Sequence, residues 1–111
     1  MNTLSTHVLD TMHGRPAAGL ALALIGPHGE IARGITNVDG RCPDLMQDGL
    51  APGRYAIRFA VADYFRGLGV ALPDPPFLDE VVVDFGIAPD GGHYHVPLLV
   101  SPYAYSTYRG S

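Results

Sequence analysis

Two histidines, His93 and His95, stand two positions apart in a run from His93 to Val100 that alternates like a β-strand. Alternate strand positions share a face, so both rings project the same way, about 7 Å apart. That spacing suits two chemistries. Zinc sites use His-x-His but require a third and a fourth ligand. The other histidines are His7, His13 and His28, and no Cys pair or His-Glu helix motif completes a set, so no metal is expected. Acid–base chemistry asks for less. A neutral imidazole takes a proton from water near pH 7, and a second group returns one to a leaving nitrogen. His95 and His7 are the candidates because each lies within a strand pattern, whereas His13 and His28 lie in Gly-rich loops and read as solvated.

Arg41 follows Asp39-Gly40 at the end of a turn, which projects it from a fixed platform. Its fork of donors can hold a carbonyl oxygen or a planar anion. The C-terminal run from Tyr103 to Ser111 is rich in aromatic, hydroxyl and cationic groups where composition usually drifts toward small solvated residues. It reads as a strand tied into a sheet and facing a ligand or partner. Strand alternation sends Tyr108 and Arg109 to opposite faces, so only one of them lines a given site, and Ser111 adds a terminal carboxylate. The sequence has no Gly-rich phosphate loop, no Gly-x-Ser-x-Gly and no carboxylate pair arranged for glycoside hydrolysis. The residues themselves offer His7, Arg41, His95 and Tyr108, on four separated segments.

Something must bring those segments together. Fourteen glycines and ten prolines cut the chain into short pieces, which favours antiparallel strands in a sandwich over a helical bundle. Strands are expected over 3–9, 18–25, 30–36, 54–60, 77–87, 93–100 and 103–109. Turns are expected at Gly26–Gly29, Asn37–Arg41, Asp90–Gly92 and Ser101–Pro102. In the strand over 54–60, Tyr55, Ile57 and Phe59 alternate with Arg54, Ala56 and Arg58, which puts the arginines on the wetter face. Residues 61–68 form the one helical candidate, about two turns long.

Composition limits the partners. With 111 residues, 47% of them apolar and 16% charged, the chain reads as one globular domain, 1–111, able to bury a core without staples. Its net charge of −4 and lack of any basic run argue against nucleic acid. All seven cations are arginine, so arginine is the only fixed positive charge available to a site. The single cysteine, Cys42, reads as a small packing residue. No run is long and apolar enough for a membrane span, and the first residues lack the basic and apolar segments of a signal peptide, so a cytoplasmic location is expected.

Leu4–Thr11 with Gly14 and Pro16-Ala17, Thr36–Arg41, Tyr64-Phe65, Pro76-Phe77, His93–Leu98 and Ser101–Ser111 together carry a resemblance. The chain resembles the 5-hydroxyisourate hydrolase family, the transthyretin-like enzymes of urate breakdown. The closing Tyr-Arg-Gly-Ser is the most specific match, because transthyretins proper lack it. Departures are mild: Ala104 replaces the usual Gly, Val100 the usual Leu, and the Gly26–Gly29 connection is short. The resemblance implies an all-β, eight-stranded transthyretin/prealbumin-like sandwich with one short helix, assembled as a homotetramer, a dimer of dimers. It implies hydrolysis of 5-hydroxyisourate to 2-oxo-4-hydroxy-4-carboxy-5-ureidoimidazoline without metal or organic cofactor. His7, Arg41 and His95 would be catalytic, and His7, Arg41, Tyr108 and Ser111 would bind substrate. Two other classes fit the fold. A carrier would show an apolar channel in place of histidines and arginine, and an adhesive module would tolerate loss of the tail.

Overall fold

A computed structural model describes residues 2–110. In chain order the strands are β1 (Asn2–Asp10), β2 (Arg15–Pro16), β3 (Ala21–Gly26), β4 (Gly29–Ile35), β5 (Gln47–Leu50), β6 (Gly53–Ala60), β7 (Glu80–Ile87), β8 (His93–Ser101) and β9 (Ala104–Thr107). The helix α1 (Val61–Gly67) lies between β6 and β7, and a single 3-10 turn covers Pro43–Leu45. Apart from β2, a two-residue pairing, eight strands remain among the described residues, so the all-β eight-stranded expectation holds. One sheet runs β2-β1-β8-β9 with β5 also on β1, and the other runs β4-β3-β6-β7.

Alternation builds both sheets. In β1 every second residue (Asn2, Leu4, Thr6, Val8, Asp10) is buried while Thr3, Ser5, His7 and Leu9 are half exposed. In β8 Tyr94, Val96, Leu98 and Val100 are buried. The facing sheet supplies Leu22 and Leu24 from β3, Tyr55, Ile57 and Phe59 from β6, and Val81, Val83 and Ile87 from β7. Each such side chain stabilises the fold by about 1.5–3 kcal/mol when fully withdrawn from water. Phe85, two positions beyond Val83 in β7, is only partly buried and stacks on Tyr55. Helix α1 buries Val61, Ala62, Tyr64 and Phe65 and leaves Asp63 and Arg66 in solvent.

One pairing decides where the site can be. β1 and β8 run parallel, with Thr3 opposite His93, Ser5 opposite His95 and His7 opposite Pro97. The first and the penultimate strands are thus central neighbours, and their outward residues form one continuous face.

Several expected boundaries shift. β3 begins at Ala21, after Leu20 has turned inward, and β7 begins at Glu80. Gln47–Leu50, assigned to no element from sequence, becomes β5 by pairing with Asn2–Leu4. Its Gln-Asp-Gly-Leu sequence has no apolar alternation, so tertiary pairing rather than propensity makes it a strand. The last strand stops at Thr107, short of the expected Arg109. Cys42 is buried, with its thiol pushed up by burial, in keeping with a packing role.

Candidate active site

The turn after β4 sets Arg41 beside His7. Buried Thr36 donates from its hydroxyl to the Ala17 carbonyl (2.6 Å) and accepts from the Leu20 amide (2.9 Å). The Asn37 side-chain oxygen then accepts from the amides of Asp39 (3.0 Å) and Arg41 (3.1 Å), and the Asn37 amide donates to the Arg41 carbonyl (2.8 Å). Gly40 has φ +76° and its carbonyl accepts from the Val8 amide (2.8 Å); a Cβ there would lie 2.4 Å from the Val8 carbonyl oxygen. Only glycine fits both conditions. The result is an antiparallel bridge between His7 and Arg41.

His7 is oriented by the same turn. Its Nε2 lies 2.7 Å from the Asp39 carbonyl oxygen. A carbonyl only accepts, so Nε2 carries the hydrogen and the neutral ring keeps its lone pair on Nδ1. His95 is half-buried, with Nδ1 2.8 Å from the Ser5 hydroxyl. Burial, and after it the charges of Arg41, His7 and His93, hold its imidazolium down, below the usual histidine range. It therefore stays neutral at neutral pH, the form a general base needs.

The tail runs beside this face, paired to β8. The Gly110 amide donates to the His95 carbonyl (2.7 Å), and a Cβ on Gly110 would lie 2.5 Å from His95 Cδ2. Leu98–Thr107 and His95–Gly110 belong to one register, which sets Tyr108 opposite Pro97 and on the face that carries His7 and His95. Tyr108 is 61% exposed there. Arg109 takes the other side, as alternation predicts. Its guanidinium donates to the carbonyls of Gly91 (2.6 Å) and His93 (3.0 Å) and lies 4.0 Å from the centre of the Tyr94 ring. Arg109 therefore anchors the tail instead of facing the histidines. Ser111 lies outside the described residues.

His7, Arg41 and His95, three residues expected from sequence, share this outer face with the tail. His13 and His28 do not. His13 is nonetheless more than a solvated loop residue: its Nδ1 lies 2.6 Å from a carboxylate oxygen of buried Asp10, which also accepts from Tyr64 at 2.7 Å. Burial and the hydrogen bond to Asp10 push the Tyr64 hydroxyl up to about 12. The spacing Asp-x-x-His was the available signal. Sequence reasoning also passed over Ser5, whose place in the alternating Thr3-x-Ser5-x-His7 series was the clue. A concavity of about 720 Å³ lies far from all of this, on the outer face of the other sheet, lined by residues such as Glu30, Arg33, Arg58 and Glu80. It holds charged groups but no histidine.

No group of three or more His, Cys, Asp or Glu is placed to hold a metal among the described residues. The face brings together an imidazole held neutral, a second imidazole with a fixed tautomer, and a guanidinium on a turn set by backbone hydrogen bonds. Such a set can activate water, return a proton and hold an oxyanion.

Comparison with known proteins places the chain in a family. The HIUase/Transthyretin family model matches residues 4–110. The chain is 52% identical to a 5-hydroxyisourate hydrolase of Pseudomonas aeruginosa, over all of this chain and 93% of that protein. Among solved structures, Klebsiella pneumoniae 5-hydroxyisourate hydrolase superposes with a TM-score of 0.87 at 34% identity, covering 100% of both chains. Sea bream transthyretin in complex with thyroxine gives 0.83 at 30% identity, over 96% of this chain and 93% of that one. A match over nearly the whole length, at the level of sequence and of fold, means that the chain belongs to the HIUase/Transthyretin family.

Proposed function

We propose that this chain hydrolyses 5-hydroxyisourate to 2-oxo-4-hydroxy-4-carboxy-5-ureidoimidazoline, as a single domain spanning 1–111. The observation that carries the reading is the convergence of His7, Arg41 and His95 on one sheet face beside the tail. The hydrolase names of relatives matched from end to end support it. In this mechanism His95 takes a proton from water as the oxygen attacks the ring carbonyl. Arg41 holds the substrate and offsets charge on the tetrahedral oxyanion, a contribution of about 3 kcal/mol per donor. His7 or His95 returns a proton to the departing ring nitrogen. Tyr108, with Ser111, orients the heterocycle. Imidazole and guanidinium meet every charge and proton demand of the step, so the reaction is assigned no metal and no organic cofactor.

The working form is a homotetramer, a dimer of dimers, in the cytoplasm. β7 and β9 each end a sheet, so a second copy can extend either edge, and the histidine-bearing face is left open for a facing dimer to complete as a channel. A carrier reading finds less support. The transthyretin neighbour binds thyroxine, but here the corresponding candidate face carries Thr3, Ser5, His7, His93 and His95. No helix is long and apolar enough to cross a membrane among the described residues.

The decisive assay generates 5-hydroxyisourate from urate with urate oxidase and follows its ultraviolet absorbance. Added protein should accelerate the decay in proportion to its concentration, with chelator making no difference. Decay at the spontaneous rate would refute the reading.

A further inference from the structure

The outer face of β1 and β8 holds more than the two reacting imidazoles. Thr3 Oγ1 lies 2.6 Å from His93 Nδ1, His93 Nε2 lies 3.0 Å from Ser5 Oγ, and Ser5 Oγ lies 2.8 Å from His95 Nδ1. The line is unbroken. It runs from Thr3 through exposed His93 and Ser5 to half-buried His95, whose Nε2 takes no part in it.

The chemistry of these groups allows only two arrangements of hydrogens. A serine hydroxyl has one hydrogen, so between two imidazole nitrogens it donates to one and accepts from the other. A neutral imidazole likewise donates from one nitrogen and accepts at the other. In the first arrangement His95 Nδ1–H donates to Ser5, Ser5 donates to His93 Nε2, and His93 Nδ1–H donates to Thr3. His95 Nε2 then presents a lone pair. In the second, Thr3 donates to His93 Nδ1, His93 Nε2–H donates to Ser5, and Ser5 donates to His95 Nδ1. His95 Nε2 then presents a hydrogen. The tautomers of the two rings are locked together through one hydroxyl.

We propose that Ser5, His93 and Thr3 are positioning residues that set the tautomer of His95 and relay its proton, switching its Nε2 between base and acid. The proposal rests on the hydrolase reading for the role of His95. In the base arrangement Nε2 takes a proton from the attacking water. The Nδ1 proton passes to Ser5 as the Ser5 proton passes to His93 Nε2. His93 gives its Nδ1 proton to Thr3, whose own proton goes to bulk water. One proton enters, one leaves, and every member is neutral again. Running in reverse, Nε2–H goes to the departing nitrogen and bulk water resupplies Thr3. The device has a physical reason. Arg41 and His7 lie close enough to oppose a positive charge on His95, so a base that never has to rest as an imidazolium gains most in this surrounding.

Nitrogen-15 NMR of the imidazoles tests the wiring without substrate, and so independently of the assigned reaction. In the wild-type protein the two rings should show linked, non-random tautomers. Ser5→Ala should leave each ring with a tautomer ratio of its own, while Ser5→Thr should keep the linkage. Unchanged His95 tautomers in Ser5→Ala would overturn the proposal. With 5-hydroxyisourate, Ser5→Ala should lower kcat by on the order of 100-fold with KM little changed, and Ser5→Thr should recover most of it. Rates in mixtures of light and heavy water should curve with deuterium fraction in the wild type and become linear in His93→Gln, an exposed position where folding is not at stake. A His93→Gln enzyme with the wild-type curve and wild-type kcat would also overturn it.

Discussion

The two sheets are built alike on their inner faces and oppositely on their outer ones. Inward, β8 presents Tyr94, Val96, Leu98 and Val100, and β6 presents Tyr55, Ile57 and Phe59. Outward, β1 and β8 carry hydroxyls and imidazoles hydrogen-bonded to one another. The outer face of β4-β3-β6-β7 carries formal charges, such as the Arg33–Glu30 pair at 2.7 Å, around its roughly 720 Å³ concavity. Exposed ion pairs in water add little and are screened by salt. Half-buried His95 has its protonation set by burial first and then by the charges around it, Arg41 foremost. The proposed proton chemistry thus belongs to the face of hydrogen-bonded imidazoles and hydroxyls, and the concavity on the other sheet is lined by ion-pairing groups.

Substitutions can sharpen that contrast. The largest effect belongs to His95→Asn, which should lower turnover by about 10³-fold, within the range of lost acid–base catalysis, while circular dichroism stays native. Arg58→Gln on the other sheet should leave turnover within about twofold, as a surface change away from any reacting group. If the two variants lost activity equally, the contrast would collapse. Arg41→Lys keeps the charge but loses the planar fork, and a drop of about 10²-fold in kcat/KM is expected from the weakened oxyanion contact. Gly110→Ala should cost about tenfold or more, because its methyl group pushes on His95 Cδ2 and small misplacements of a reacting group are expensive. A crystal structure of that variant should show the ring or the tail displaced. The smallest effect is on pH. His95 must be neutral to act, so activity is present above its pKa and lost as pH falls through it. Because burial and neighbouring charges lower that pKa, the acidic limb of kcat/KM should lie below the usual histidine range. Arg41→Gln should move the limb upward only in part, since burial is the larger influence. A limb unmoved by Arg41→Gln would remove Arg41 from the electrostatics of the base.

Legibility from sequence followed how local each cause was. Strands with apolar alternation, such as Arg54–Ala60, were readable because the period of two is written in the residues themselves. The turn before Arg41 was readable from Asp-Gly, and the opposed directions of Tyr108 and Arg109 from alternation. β5 was not, since Gln47–Leu50 becomes a strand only because Asn2–Leu4 offers it an edge. Nor was the end of β9, where Arg109 leaves the ladder to hold two carbonyls and the Tyr94 ring. The meeting of His7 with His95 was the deepest gap. Both could be nominated as strand histidines, but their shared face depends on a parallel pairing between residues some ninety positions apart. No pattern within either segment encodes that. Resemblance to a family supplied it in advance.

That pairing also carries a consequence for how the protein is made. β1 leaves the ribosome well before its central neighbour β8, so one edge of β1 must wait until β8 has been made. Until then the nascent chain has a sticky strand and no reacting pair. A chain cut short before His93 would yield no weakened enzyme, only a half-covered sheet fit for a protease.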